Sequence, residues 1–434
     1  MGRGQRERHR DGASETGRVA RSRQLTNGQF DPSRIERSTV SWAAPDGPTL
    51  VGVGNAETIV GTGPDRLEQV RTNATRAFRS IDYTGPSVAR PRAIGGLAFR
   101  DDGTGEAPWE GFPPAWFAIP SILITQRDEE TWLTAIEDSV PAAESRLDEW
   151  EDRFNTSPAE PRTVPPRSRT VDDRRDWLQR VQEALESIET GPLEKVVVAG
   201  RRTATFDAAI DPDVLAARLA SAYPGCYRFL AAPSSDRAFV GAPPERLLKL
   251  SGRTLETEAL AGSAPRGRTE ADDARHRTHL CEREVEGREH GLVVDAIVDR
   301  LGDHAVSIGE RHVRRLATVQ HLRTPITATL EEGAHVLELV EVLHPTPAVG
   351  GVPRDSALEM IDALESFDRG WYAAPVGWFD AAGDGEFAVG IRSGLVDGQD
   401  LHLFAGNGIV TGSEPTAEWD ELELKFEAVL EVLE

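Results

Sequence analysis

The apolar positions of this chain change their period along its length. Trp177, Val181, Leu185 and Ile188 recur every three or four residues, which predicts a helix. VVVAG (196–200) is a continuous apolar run opening on three valines and predicts a buried strand. PDVLAARLASAY (212–223) reads as a helix, and CYRFLAAP (226–233) and RAFVGAP (237–243) as strands. Residues 280–301 read as one long helix. Strands are expected near 313–330 and 387–404, and a closing helix from Pro415. Before residue 150, short runs such as ILIT (122–125) alternate with turns. NTSPAEPRTVPPRSRT (155–170) reads as a linker or surface loop. Residues 1–24 are charged, arginine-rich and aperiodic, and read as a disordered tail. Strands and helices mixed without strict alternation predict a large α+β domain over 25–434, less diagnostic over 25–170 than over 171–434.

Charge narrows the function. The chain of 434 residues carries a formal net charge of −23, which argues against binding a phosphate backbone. Lysine occurs only at Lys195, Lys249 and Lys425; every other basic residue is arginine. Acidity with so little lysine suggests a halophilic source. Two cysteines, Cys226 and Cys281, are too few for a disulfide framework and fit a reducing cytoplasm. No apolar run approaches the ~20 residues of a membrane helix, and no signal peptide is expected. The histidines lack HExxH spacing, which argues against a zinc enzyme. The glycines of VGVGNAETIVGTG (51–63) have no Walker lysine after them and read as turns around a strand.

Two helices carry carboxylates at suggestive spacing. In the closing helix, Ser413 is a plausible cap and Pro415 sits in the first turn. Trp419, Leu422, Phe426, Val429, Leu430 and Leu433 form its buried face. Glu418, Glu421 and Lys425 form a second stripe beside it. Glu286 and Glu289 lie one turn apart, just before the apolar positions Leu292, Val293, Ala296 and Ile297. Oxygen-only ligands of this kind suit Mg²⁺. On spacing alone, a salt-bridged, solvated helix flank is the favoured reading.

Ten blocks, in order, resemble the chorismate-utilising enzymes: EKVVVAGRR, GAPPERLLKL, TEALAGSAPRG, REHGLVVDAI, VQHLRTPI, LHPTPAVGGVPR, RGWYAAPVGWFD, FAVGIRS, AGNGIVTGSEP and EWDELELK. The resemblance covers residues 175–432. It implies an α+β fold of two large, mostly antiparallel sheets packed together with helices outside. It implies Glu245 as the general acid at the leaving 4-hydroxyl, although Pro243 stands where the family usually has serine. It implies Mg²⁺ held by Glu289 and Glu421, supported by Glu418. Arg392 and Lys425 match residues that hold substrate carboxylates or order the metal end. Tyr372 matches a residue near the enolpyruvyl carboxylate, and His321 one near the ring. Ala261-Gly262-Ser263 and Gly406-Asn407-Gly408 match segments that approach the substrate.

Three positions bear on which family reaction to expect. Lys195 stands where water-using members have lysine and anthranilate synthases typically have glutamine. Ala261 stands where aminodeoxychorismate synthases typically have a nucleophilic lysine. Ala348 stands where anthranilate and salicylate synthases usually have threonine. All three favour isochorismate synthesis. Lys195 would deprotonate a water that attacks C2, and Glu245 would protonate the departing hydroxyl. The resemblance further implies a cytoplasmic monomer without a glutaminase subunit, making isochorismate for menaquinone. A siderophore-pathway isochorismate synthase, a salicylate synthase and an anthranilate synthase component I are the alternatives.

Overall fold

The computed structural model describes residues 17–25, 35, 37–103, 105–155, 164, 167–171, 174–302, 304–316 and 319–433. Among these residues the strands form one sheet of 13 and one of 10, and nearly every pairing is antiparallel. This is the α+β architecture expected above. Both sheets interleave distant parts of the chain. In the larger sheet, Arg228–Ala231 pairs with Val40–Ala43. In the smaller, Pro375–Asp380 pairs with Arg92–Leu97. The weakly patterned N-terminal part thus supplies strands to both sheets.

The side-chain period of two sorts residues between faces. Leu50, Leu123 and Ile136 join the main core cluster, which draws on both sheets. Their neighbours Val51, Ile122, Ile124 and Ala135 face a second cluster, capped by Leu147 and Trp150 of the Val140–Asn155 helix. The Arg174–Thr190 helix buries Trp177, Val181, Leu185 and Ile188, the periodic positions read from the sequence. Pro415–Leu430 buries Trp419, Leu422, Phe426, Val429 and Leu430. No helix among the described residues is long and apolar enough to cross a membrane.

Four expectations need correction. Arg18–Gln24, placed in the disordered tail, is a strand; it pairs in parallel with Ile81–Thr84 and antiparallel with Glu130–Glu137. Residues 1–16 of that tail lie outside the described residues. The end of the supposed linker, Arg167–Val171, is a strand paired with Lys195–Phe206; most of the rest lies outside the described residues. The long helix over 280–301 is two, Glu270–Glu282 and Glu284–Leu301. Arg283 between them is extended (φ −72°, ψ 127°), and its guanidinium turns back to pair with Glu286 at 2.6 Å. Finally, Ser413 does not cap the closing helix. Glu414 holds that position without a side-chain cap, while Ser413 Oγ accepts the Val410 N–H at 3.3 Å.

Candidate active site

One cavity of about 310 Å³ gathers side chains from both sheets and from two helices. Its floor is the pairing of Lys195–Phe206 with Asp400–Val410, registered from Lys195↔Val410 to Thr205↔Asp400. Lys195 and Val197 line the cavity, whereas Val196 and Val198, on the other face, are buried in the main core. The outer edge of this strand is fixed by buried polar groups. Glu365 Oε1 accepts the Ala199 N–H at 2.8 Å, and Arg369 Nη2 donates to the Val197 carbonyl at 2.7 Å.

Lys195 is 1% exposed, and its Nζ donates to Glu289 Oε1 at 2.7 Å. The space for this pair comes from Gly408. A Cβ there would lie 2.8 Å from both Glu289 Oε1 and Lys195 Cε. Gly262 (φ +76°) sits at a bulge between Ala261 and Ser263, and a Cβ on it would meet Glu286 Cβ at 3.2 Å. Both glycines therefore make room for protein side chains in the cavity wall. Ala261, Gly262 and Gly408 line the cavity; the side chain of Ser263 lies outside the described residues.

The closing helix presents Glu418, Glu421 and Lys425 to the same cavity. Lys425 Nζ donates to Glu421 Oε1 at 2.9 Å, to the Gly406 carbonyl at 2.8 Å and to Asn407 Oδ1 at 2.7 Å. Its ammonium holds the Glu421 carboxyl below the usual range. Asn407 Nδ2 donates to Glu418 Oε2 at 2.9 Å. Burial, with the neighbouring charge of Glu421, pushes Glu418 up to about 7. Asn407 thus links the lysine to the second carboxylate, a role not assigned from sequence. Its signal was present: a lone amide between two glycines in the otherwise apolar run FAGNGIV (404–410).

Glu245 follows Pro244 on the turn after the Arg237–Gly241 strand. The residue is half-buried because its carboxyl faces the cavity. The enclosing walls still exclude enough solvent to push that carboxyl up to about 7, against the cations Arg392, Lys425 and Lys195. Arg392 adopts a left-handed backbone (φ 49°), rare for a residue with a side chain. Tyr372 is buried and stacks on Phe404, ring centroids 5.5 Å apart. Burial and the nearby Arg392 and Lys425 charges push His321 down to about 3, so its ring is neutral at pH 7. Ala348 completes this wall. His290, next to Glu289, is structural: its ring contacts the Ala261 carbonyl at 3.3 Å and Thr324 Oγ1 at 2.8 Å.

Glu286 was noted on its helix but not carried into the metal set. The structure places it in the cavity wall at 9% exposure, and its Oε2 has no hydrogen-bond partner. Six carboxylates and four cationic side chains line the cavity. A dianionic ligand adds its charge to a cavity whose ionised carboxylates already at least equal its cations, and a divalent cation offsets that charge. Among the described residues no three acidic or imidazole groups form a ready-made cage. An all-oxygen donor set with an unpartnered buried oxygen fits Mg²⁺, which keeps water and substrate among its ligands.

The model of the chorismate binding enzymes matches residues 26–434. The chain belongs to that family. The isochorismate synthase MenF of Bacillus subtilis is 32% identical over 412 residues, covering 87% of this chain and 85% of its own. The salicylate biosynthesis isochorismate synthase of Pseudomonas aeruginosa is 34% identical over 392 residues, covering 88% and 82%. The solved structure of MenF, the menaquinone-specific isochorismate synthase from Escherichia coli, superposes with a TM-score of 0.82 at 25% identity, covering 96% of this chain and 95% of that one. The family's fold therefore spans the weakly patterned N-terminal part as well.

Proposed function

We propose that this protein is an isochorismate synthase, with residues 25–434 acting as one unit. The observation that carries the reading is a buried lysine, Lys195, in the same cavity as Glu245, a carboxyl that holds its proton up to about pH 7. Water attack on chorismate needs a base for the water and an acid for the leaving hydroxyl. Full-length likeness to isochorismate synthases supports the same reaction.

The residues divide the work as follows. Arg392 and Lys425 attract the substrate carboxylates. Mg²⁺, held by Glu289 and Glu421 with Glu418 and Glu286 in support, would neutralise the ring carboxylate. Neutral His321 and Tyr372 border the ring without adding charge. Lys195 takes a proton from water as its oxygen bonds to C2, and the ring double bond shifts. The C4–O bond breaks, and Glu245 supplies the proton that lets the hydroxyl leave as water. Lys195 ends with one proton more and Glu245 with one fewer, and exchange with solvent resets both. In the structure Glu289 Oε1 accepts from Lys195 Nζ at 2.7 Å. Once Glu289 is engaged elsewhere, Nζ is available to the water.

The test is product analysis. Purified protein with MgCl₂ is expected to convert chorismate to isochorismate without releasing pyruvate. Lys195→Gln should lose on the order of 10²–10⁴ in rate. Stoichiometric pyruvate and salicylate would make it a salicylate synthase, and ammonia-dependent anthranilate would refute water as nucleophile. We assign the product to menaquinone synthesis, the specificity of the Escherichia coli relative with TM-score 0.82. Deleting the gene should abolish menaquinone; unchanged menaquinone with loss of a catechol siderophore would reverse that assignment.

A further inference from the structure

The turn that presents Glu245 is tied at both ends to a carboxylate that stays outside the cavity. Glu258 belongs to the Thr254–Pro265 strand, is 6% exposed, and does not line the cavity. Its Oε1 accepts the backbone N–H of Arg246 at 3.2 Å and Arg314 Nη1 at 3.1 Å. The same Nη1 donates to the Pro244 carbonyl at 2.8 Å, and Arg314 Nη2 donates to the Gly225 carbonyl at 3.1 Å. Glu258 Oε2 accepts Arg323 Nε at 2.6 Å. The residues on either side of Glu245 are therefore held by one ion-paired centre, directly at Arg246 and through Arg314 at Pro244. The Arg246 side chain is pinned in turn, with Nε donating to Tyr227 Oη at 2.8 Å and Nη1 to Glu256 Oε2 at 2.8 Å.

We infer that Glu258 is a positioning residue for Glu245: with Arg314 it fixes the Pro244–Arg246 turn, and it holds a negative charge behind the acid. The inference rests on the proposed role of Glu245. A buried carboxylate is costly unless its lone pairs are met; here a backbone N–H and two guanidinium groups meet them. That makes the turn rigid, and a general acid must lie within hydrogen-bond reach of its target. Arg392, Lys425 and Lys195 face Glu245 and favour its ionised form, Tyr372 lies beside it, and Glu258 opposes ionisation. Around Glu258 itself stand Arg246, Arg314, Arg323 and Tyr227.

Glu258→Gln keeps the shape and removes the charge. Its turnover is expected to fall up to about 100-fold, with KM for chorismate within about twofold because Glu258 touches no substrate. The alkaline limb of its pH–rate profile should move to lower pH, because the charge opposing ionisation of Glu245 is gone. Loss of turnover with the limb unmoved would mean a merely structural role and would overturn the inference, as would wild-type turnover. Arg314→Gln, which retains Glu258, should also lower turnover, with no shift of the limb to lower pH. If Glu258→Gln does not fold, unchanged turnover in Arg314→Gln overturns the bracket. Glu245→Gln, measured in parallel, separates the two claims. Full activity in that variant would mean the acid assignment itself has failed, and the positioning role would fall with it.

Discussion

Two of the chain's three lysines stand in the cavity, and each is hydrogen-bonded to a carboxylate of the candidate metal set. The third, Lys249, lies 4.0 Å from Glu256 at the surface end of a strand. An arginine at position 195 could balance Glu289 but could not accept a proton near neutral pH. As a general acid Glu245 works protonated, and its carboxyl is pushed up to about 7. The protonated fraction falls as pH rises through that value. Loss of the acid therefore sets the alkaline side of the profile: turnover is expected to fall about tenfold per unit well above pH 7. A pH–rate profile checks this; turnover still rising at pH 9 would exclude Glu245 as the acid. Gly408→Ala tests the space around the base. The new methyl meets only the ends of two flexible side chains, so the fold should tolerate it. The variant is expected to melt within a few degrees of wild type yet lose roughly 10- to 100-fold in turnover, because Lys195 and Glu289 must move apart. Calorimetry and a rate assay together check it.

Elements were legible where period and burial agree. The helices over Arg174–Thr190 and Pro415–Leu430 show their buried stripes in the sequence because each packs one face on the core. Arg18–Gln24 (RVARSRQ) shows no such pattern, because Ala20 is its only buried residue. Its strand state comes from pairing on both edges, which a single sequence does not display. Removing residues 1–24 is thus expected to lower the melting temperature, because it strips two strands of their partner. A truncation starting at residue 25 that melts like the full chain would contradict this. The break at Arg283 was equally hidden. Neither glycine nor proline occupies that position, and the interruption accompanies a side chain that turns into the cavity.

At the scale of the whole molecule, the net charge of −23 sets the response to salt. Carboxylates crowded on one folded surface repel one another, and added salt screens that repulsion. Raising KCl from about 0.1 M to about 2 M should raise the melting temperature, and a fall would contradict the halophilic reading. The sequence alone determined the family, through ten blocks in order, and most helices and strands of the second half. Residue type sufficed there, because a buried face or a reacting group constrains which side chain can stand at a position. Tertiary structure alone decided the rest. The register of two paired strands puts Gly408 beside Lys195, and the packing of two helices brings four glutamates to one cavity. Such contacts join residues far apart in the chain, and each depends on a pairing or crossing that no local period specifies.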